Sequence, residues 1–316
     1  MRLLFITATR IGDAVLSSGL LDHLLERHPG AHVTIAAGRV AAPLFAAVPG
    51  LERVLIIDKR PFKGHWLALW TATAFRRWDL VVDLRASAIA YLVPARRRVT
   101  GGKRDDTRHR VEELAALLGL DPPPAPRVWL APEHEAAAER LVPAGDPVLA
   151  IGPAANWTGK QWPATRFAEA VRRLTAPGGA LAGARVAVLA AGHERDQARP
   201  VIEALPATRV LDLVGAVDLP TAAACLRRCR AFLGNDSGLM HLAAAAGTPT
   251  LGLFGPSHAQ RYRPWGPKAT FLRTPESYDA LARRIVPPGQ VQGTLMDGLT
   301  VEAVLTATED LLRRAG

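Results

Sequence analysis

The 316-residue chain contains two cysteines, Cys225 and Cys229, too few for a disulfide scaffold. Their four-residue spacing suits one face of a helix, and no second pair of ligands stands nearby, so they read as buried structural thiols. A membrane span needs about 20 predominantly apolar residues. The longest apolar run, Leu242 to Pro256, is broken by Gly247, Thr248, Pro249 and Gly252. The secretory pattern is missing too, because Arg10 and Asp13 fall where its apolar region would lie, and cytoplasmic residence is the expectation. Neither a Gly-x-Gly-x-x-Gly fingerprint, a P-loop, a zinc spacing, a Gly-x-Ser-x-Gly elbow nor a kinase signature is present. Lysine is scarce: 5 against 34 arginines.

What is present describes an ordinary globular chain. Hydrophobic residues make up 49% and charged residues 22%, which excludes disorder as the main state. At roughly 100–200 residues per domain, the length suggests about two domains. Leu3–Ala8, His32–Ala37, Val54–Ile57 and Leu80–Leu84 read as strands, with a helix over Ala14–Arg27. Proline and glycine then gather at Asp121–Pro126 and again at Val142–Pro147, the second being the better boundary. The alternation restarts with strands at Val148–Ile151, Val186–Ala190, Arg209–Leu213, Ala231–Leu233 and Thr250–Leu253. Val301–Arg314 is a last amphipathic helix. Strands alternating with helices imply βαβ units and mainly parallel sheets. The expectation is α/β, two doubly wound domains with ligands at the carboxyl ends of their strands and a cleft between them.

Three strand-to-helix loops in the second half and one in the first carry chemistry. Thr9-Arg10-Ile11-Gly12-Asp13 follows the first strand. Gly12 permits close backbone approach, and Asp13 is either a general base or a helix cap. Ile151–Pro163 holds Lys160, a point charge suited to phosphate or a solvated loop lysine. Gly234–Gly238 runs straight into a helix over Leu239–Ala246, giving free N–H groups at a helix start. Asp236 or Ser237 could equally be a plain cap, and His241, one turn in, a structural histidine. In Ala190–Asp196, Glu194 could meet a ribose diol or simply suit a helix start. Val217 offers an apolar wall in the next loop.

The formal charge is +10, from 39 basic against 29 acidic residues. Residues 59–110 alone hold 13 basic residues (Lys59, Arg60, Lys63, Arg76, Arg77, Arg85, Arg96, Arg97, Arg98, Lys103, Arg104, Arg108, Arg110) against 4 aspartates, a net of +9. Trp66, Trp70 and Phe75 lie among them. Such a window suits a phosphorylated or lipid-linked ligand, single-stranded nucleic acid, or an arginine-rich solvated helix over core aromatics.

Together, RIGDAVLSSGLL at Arg10–Leu21, DLVVDLRAS at Asp79–Ser87, GPAANWTGKQWP at Gly152–Pro163 and GNDSGLMHLAAAAGTPTLGLFGP at Gly234–Pro256 resemble glycosyltransferase family 9, the bacterial ADP-heptose:lipopolysaccharide heptosyltransferases. The resemblance implies a GT-B fold: residues 1–142 as the acceptor domain, 147–296 as the nucleotide-sugar domain, and 297–316 as a helix returning to the N-terminal domain. It implies inverting transfer without metal or other cofactor. Asp13 would be the base. Lys160 and the backbone of Ser237 and Gly238 would hold the diphosphate, with Asn156 in the phosphate loop. Asp236 would bind the sugar, supported by His241, while Glu194 would meet the ribose and Val217 the adenine. Arg10, Gly12, Lys63, Arg96, Arg97 and Arg98 are assigned to an anionic, lipid-linked glycan acceptor, at the inner face of a membrane and not on nucleic acid. After Asp13 the sequence Ala14–Gly19 departs from many heptosyltransferases, and Trp157 is bulky for its loop. Two other readings stay open: a GT-B enzyme acting on another donor such as a UDP-sugar, as a transferase or an epimerase, and a non-catalytic protein binding anionic ligands.

Overall fold

The structure, a computed structural model, describes residues 1–59, 61–102, 105–285, 291 and 293–316. Arg60, Lys103 and Arg104 of the basic window lie outside the described residues. The chain forms two compact units, Met1–Ala131 and Pro132–Gly316.

The first unit runs β1 (Arg2–Ile6), α1 (Ile11–Arg27), β2 (His32–Ala37), β3 (Leu51–Ile56), α2 (Gly64–Thr73), β4 (Trp78–Asp83), α3 (Ile89–Leu92), β5 (Ala95–Thr100) and α4 (Arg110–Ala116). Its sheet has the order β3-β2-β1-β4-β5, with every pairing parallel. The central strand explains itself: Leu3, Leu4, Phe5 and Ile6 are all fully buried, and a parallel strand covered on both faces needs such a continuous apolar run. Register pairs Leu3 with Val33 on one side and with Leu80 on the other. The strand order reverses between β1 and β4, which makes their carboxyl ends the switch point of this sheet.

The second unit runs α5 (Pro132–Leu141), β6 (Val148–Gly152), α6 (Ala164–Thr175), β7 (Arg185–Val188), α7 (Arg195–Ile202), β8 (Val210–Asp212), α8 (Leu219–Arg227), β9 (Ala231–Asn235), α9 (Gly238–Ala245), β10 (Thr250–Phe254), α10 (Ala259–Tyr262), β11 (Ala269–Arg273), α11 (Tyr278–Ala282) and α12 (Val301–Ala315). All pairings are again parallel, in the order β11-β10-β9-β6-β7-β8, with the switch point between β6 and β9. Two Rossmann-like parallel sheets are the components of the GT-B architecture, as expected.

The structure differs from the sequence reading in two places. The division falls between residues 131 and 132, ahead of the 142–147 segment. The reason is α5, which packs on α8 and is tied there by Arg227 to Glu135 at 2.7 Å and by Arg228 Nε donating to the Val142 carbonyl at 2.6 Å. Helix α12 packs on α6 and on β10 and β11 within the second unit. Leu305, Leu311 and Leu312 join the second unit's core. Finally, β5 and β11 were not anticipated. The sequence of β5, Ala-Arg-Arg-Arg-Val-Thr, has no apolar run because an edge strand is half uncovered and its charges block further pairing.

Cys225 and Cys229 sit on one face near the end of α8, 0% and 7% exposed, and Cys229 Sγ donates to the Cys225 carbonyl at 3.3 Å. Burial pushes both thiols up, to about 11 and about 12, against a pull from Arg228. The thiolate is the reactive form. Native protein at pH 8 should therefore leave an aromatic disulfide reagent uncoloured, and two thiols should titrate only in guanidinium. A fast native reaction would contradict this packing.

Candidate functional site

In the first unit the chain leaves β1 over Thr7–Arg10. Thr7 N donates to the Ala36 carbonyl at 2.9 Å and Gly38 N to the Ala8 carbonyl at 3.3 Å, fastening this loop to the end of β2. A Cβ on Gly38 would come within 2.5 Å of Thr9 Cα, so the close crossing requires glycine. Helix α1 opens with Arg10 as its extended N-cap, whose side chain caps nothing. Asp13 is thus the third helical residue, inside the first turn, and not the cap. The helix dipole favours a carboxylate there. Asp13 is half-buried, and no described residue makes a hydrogen bond or ion pair with its carboxylate. Beneath it, Ser17 Oγ donates to the Ala14 carbonyl at 2.8 Å and lies 2.7 Å from Thr7 Oγ1.

The adjacent switch-point strand ends in Asp83, fully buried, which no role had been given. Its carboxylate accepts from Arg85 N at 3.0 Å, from Ser87 N at 2.9 Å and from the Ser87 hydroxyl. Burial pushes this carboxyl up despite the bonds from Ser87 and Arg85. Those bonds close the turn in which Ala86 takes a left-handed φ of 50°. Asp83 therefore shapes the loop after β4. An aspartate directly after the apolar run Leu80–Val82 was the signal available for it.

In the second unit, β6 and β9 face each other through Gly152 and Gly234, with the Phe232 ring filling the space where a Cβ on either would stand. Next in β9 comes Asn235, fully buried. Its Oδ1 accepts from Trp162 N at 3.0 Å, and its Nδ2 donates to the Pro153 carbonyl at 2.7 Å. Both ends of the loop before α6 are thereby held. Within that loop, Gln161 Nε2 donates to the Ala155 carbonyl at 2.9 Å, and Trp157 folds back over Gly159, where a Cβ would meet the indole at 2.7 Å.

This loop delivers Lys160 to Asp236, Nζ to Oδ2, at 2.6 Å. Asp236 is 8% exposed and its own N–H goes to the Leu253 carbonyl at 3.0 Å. Ser237 is the N-cap of α9, yet its side chain makes no cap hydrogen bond, and its buried hydroxyl has no partner. The opening N–H groups of a helix have no intrahelical acceptor, so Ser237 and Gly238 begin a helix whose donors remain available for an anion. Ser237 thus occupies the cap position without a side-chain bond to α9. His241 is buried one turn in, and Asn156 is exposed.

Glu194 and Val217 lie on the neighbouring loops after β7 and β8. Those loops touch: Gly215 N donates to the Ala190 carbonyl at 3.0 Å, and a Cβ on Gly215, whose φ is +66°, would meet Gly192 Cα at 2.7 Å. One carboxylate oxygen of Glu194 accepts from Ala191 N at 2.9 Å, so this residue also builds its own turn. The bond between Arg195 and Asp212 at 2.7 Å braces the same edge.

The basic residues separate. Arg96 and Arg97 are exposed on edge strand β5 and Lys63 is exposed just before α2. None of the three has a partner among the described residues. Arg98 differs: its guanidinium donates to the carbonyls of Ala90 at 2.7 Å, Ala95 at 2.9 Å and Val93 at 3.0 Å. Those bonds close the end of α3 and commit three of the five N–H donors of Arg98 to the backbone. Among the described residues no group of three or more His, Cys, Asp or Glu is placed to hold a metal ion.

Residues 97–285 match the profile of glycosyltransferase family 9 (heptosyltransferase). Lipooligosaccharide heptosyltransferase 2 of Haemophilus influenzae is 24% identical, over 99% of this chain and 100% of that protein. Among solved structures, the family 9 glycosyl transferase of Veillonella parvula superposes with a TM-score of 0.78 at 21% identity, covering 99% of this chain and 97% of that one. The E. coli ADP-heptose lps heptosyltransferase II superposes with a TM-score of 0.75 at 21% identity, covering 99% of each chain. At such identities the structural likeness speaks for the fold. With the profile spanning more than half of the sequence, the chain belongs to glycosyltransferase family 9.

Proposed function

We propose that the protein is an inverting glycosyltransferase that moves a heptose from ADP-heptose to a sugar of the lipopolysaccharide core, without a metal ion, at the cytoplasmic face of the membrane. The observation that carries this reading is the second switch point. There Lys160 stands 2.6 Å from Asp236, next to a helix start whose cap hydroxyl is unpartnered. A cation, a hydroxyl and free backbone N–H groups suit a diphosphate. The names of the relatives supply the choice of ADP-heptose and of a lipopolysaccharide acceptor.

The chemistry assigns one task to each unit. In the first, the unoccupied carboxylate of Asp13 accepts the proton of the acceptor hydroxyl. That oxygen forms the new bond to C1 of the heptose while the C1–O bond to the diphosphate breaks, and ADP leaves with the electron pair. The negative charge growing on the leaving oxygen is met by Lys160 and the N–H groups opening α9. Fixed dipoles of this kind stabilise developing charge without reorganising. Asp236 and the free oxygen of Glu194 accept from sugar hydroxyls, and Val217 offers an apolar wall to the base. Arg10, Lys63, Arg96 and Arg97, exposed in the first unit, meet the anionic acceptor.

Asp13→Asn should lower kcat about 10²- to 10⁴-fold, the usual worth of a general base, and leave the Kd for ADP unchanged by calorimetry. Transfer at a near wild-type rate would remove Asp13 from the reaction. Lys160→Met deletes a charged hydrogen-bond donor, worth about 1.5–3 kcal/mol, so ADP should bind roughly 10- to 100-fold more weakly. An unchanged Kd would place the diphosphate elsewhere. In a thermal-shift screen of nucleotide sugars, ADP-heptose should raise the Tm and UDP-sugars should not. Transfer should persist in EDTA. A UDP-sugar that raises the Tm while ADP-heptose does not would overturn the donor.

A further inference from the structure

Helix α2, Gly-His-Trp-Leu-Ala-Leu-Trp-Thr-Ala-Thr, carries no charged residue. A surface helix is ordinarily polar on its outer face. Here the inner face is filled by His65, Leu69 and Thr73, while Leu67 on the outer face is 63% exposed. Phe62 just before the helix is 104% exposed and Phe75 just after it is 90% exposed. Trp70 Nε1 donates to the Leu92 carbonyl at 3.1 Å, which sets α3 beside α2, and α3 adds the exposed side chains of Tyr91 and Leu92. Of the six large exposed hydrophobic residues described, only Val40 lies outside this surface, and the second unit has none.

Cations border the patch. Lys59 and Lys63 lie before α2, and Arg76 and Arg77 after it, all exposed. The guanidinium of Arg85 sits 5.2 Å over the Trp66 ring. The acids of the neighbourhood are engaged, Glu52 by Arg76 at 2.7 Å and Asp58 by Arg39 at 3.2 Å. Local stability does not account for the arrangement. Phe62 and Lys63 take left-handed φ values of 51° and 57°, which such side chains rarely adopt. A lysine at the N-cap also opposes the helix dipole.

We infer that α2 and its flanks form a membrane-docking surface, with Phe62, Leu67 and Phe75 inserting at the interface of an anionic bilayer while the bordering cations meet its headgroups. An uncharged helix bordered by basic residues has the composition for this. A second copy of the chain is the poorer occupant, since a two-fold contact would set the same cations against each other. The inference takes its purpose from the proposed membrane-borne acceptor, but its test does not require that acceptor.

The test is sedimentation of the full chain with vesicles of phosphatidylcholine containing phosphatidylglycerol, and no glycolipid. Wild-type protein should pellet with these vesicles and far less with pure phosphatidylcholine. The triple variant Phe62→Ser, Leu67→Gln, Phe75→Ser should partition on the order of tenfold more weakly or worse, as expected for three large side chains denied burial. Val40→Ser should bind like wild type. An unchanged thermal midpoint establishes that the triple variant is folded. Should that variant be unstable, Lys59→Gln with Arg77→Gln should weaken binding to the anionic vesicles alone. Wild-type protein that ignores anionic vesicles, equal binding by the triple variant, or a dimer that these substitutions dissolve would each overturn the inference. Transfer to a soluble, delipidated core acceptor reads the proposed reaction separately: vesicle binding without transfer would spare this inference and sink that reaction.

Discussion

One buried amide holds the second unit's site together. Asn235 ends β9 with no solvent exposure and bonds both ends of the loop before α6, at Pro153 and at Trp162. A buried amide left unmatched costs about 1–3 kcal/mol for each stranded group, so the loop has little freedom to choose another path. The constraint passes outward through Trp162. Its ring packs edge-on against Phe167 at 4.8 Å, and its Nε1 donates to the Leu299 carbonyl at 2.9 Å, which Arg166 also meets at 2.6 Å. Leu295 N donates to the Gly159 carbonyl at 3.1 Å. The segment leading into α12 is thus sewn to the same loop, which explains why the last helix packs on α6.

The loop so fixed presents a lysine to an aspartate. Lys160 and Asp236 are both largely withdrawn from water, and taking such a pair out of solvent can cost more than its mutual attraction returns. The arrangement makes sense as preparation for a ligand. The ammonium is already placed beside the helix start, and an arriving diphosphate can share it without a search through lysine rotamers. A lysine in a chain with 34 arginines is informative here, since a compact point charge turns more readily between two acceptors than a planar fork does.

Much of this was legible in the sequence, and what was not has physical causes. Strands such as Leu3–Ile6 announce themselves because parallel sheets bury both faces. The loops bearing Asp13, Lys160 and Asp236 were found because each ends an apolar run and opens a helix. Edge strand β5 escaped because its run of three arginines hides any apolar pattern. The domain boundary slipped because proline and glycine mark a turn without saying which neighbour claims the helix before it; the packing of α5 on α8 decides that. Local pattern could not separate a cap from a site residue at Asp13 or Ser237. The difference lies in whether one N–H points at one oxygen, a matter of tertiary placement. Asn235 was hidden for a related reason: it works on a loop its own strand does not contain.

The arginine content shows how far charge counting reaches. A net of +10 suggests a surface eager for anions, but many guanidinium groups are occupied with the chain's own backbone. Arg53 donates to the Ala72 carbonyl at 2.6 Å. Arg209 serves Thr175 at 3.1 Å and Ala184 at 2.7 Å. Arg166 serves Asp297 at 2.7 Å and Arg228 serves Val142 at 2.6 Å. Arg98 spends itself on three carbonyls. A five-donor fork satisfies several such carbonyls at once. Such residues still add to the long-range field. Each bond to the backbone leaves fewer of their five donors for a phosphate. Capacity for anionic ligands is therefore greater at uncommitted cations such as Arg10, Lys63, Arg77, Arg96 and Arg97 in the first unit, and at Lys160, held by one carboxylate, in the second.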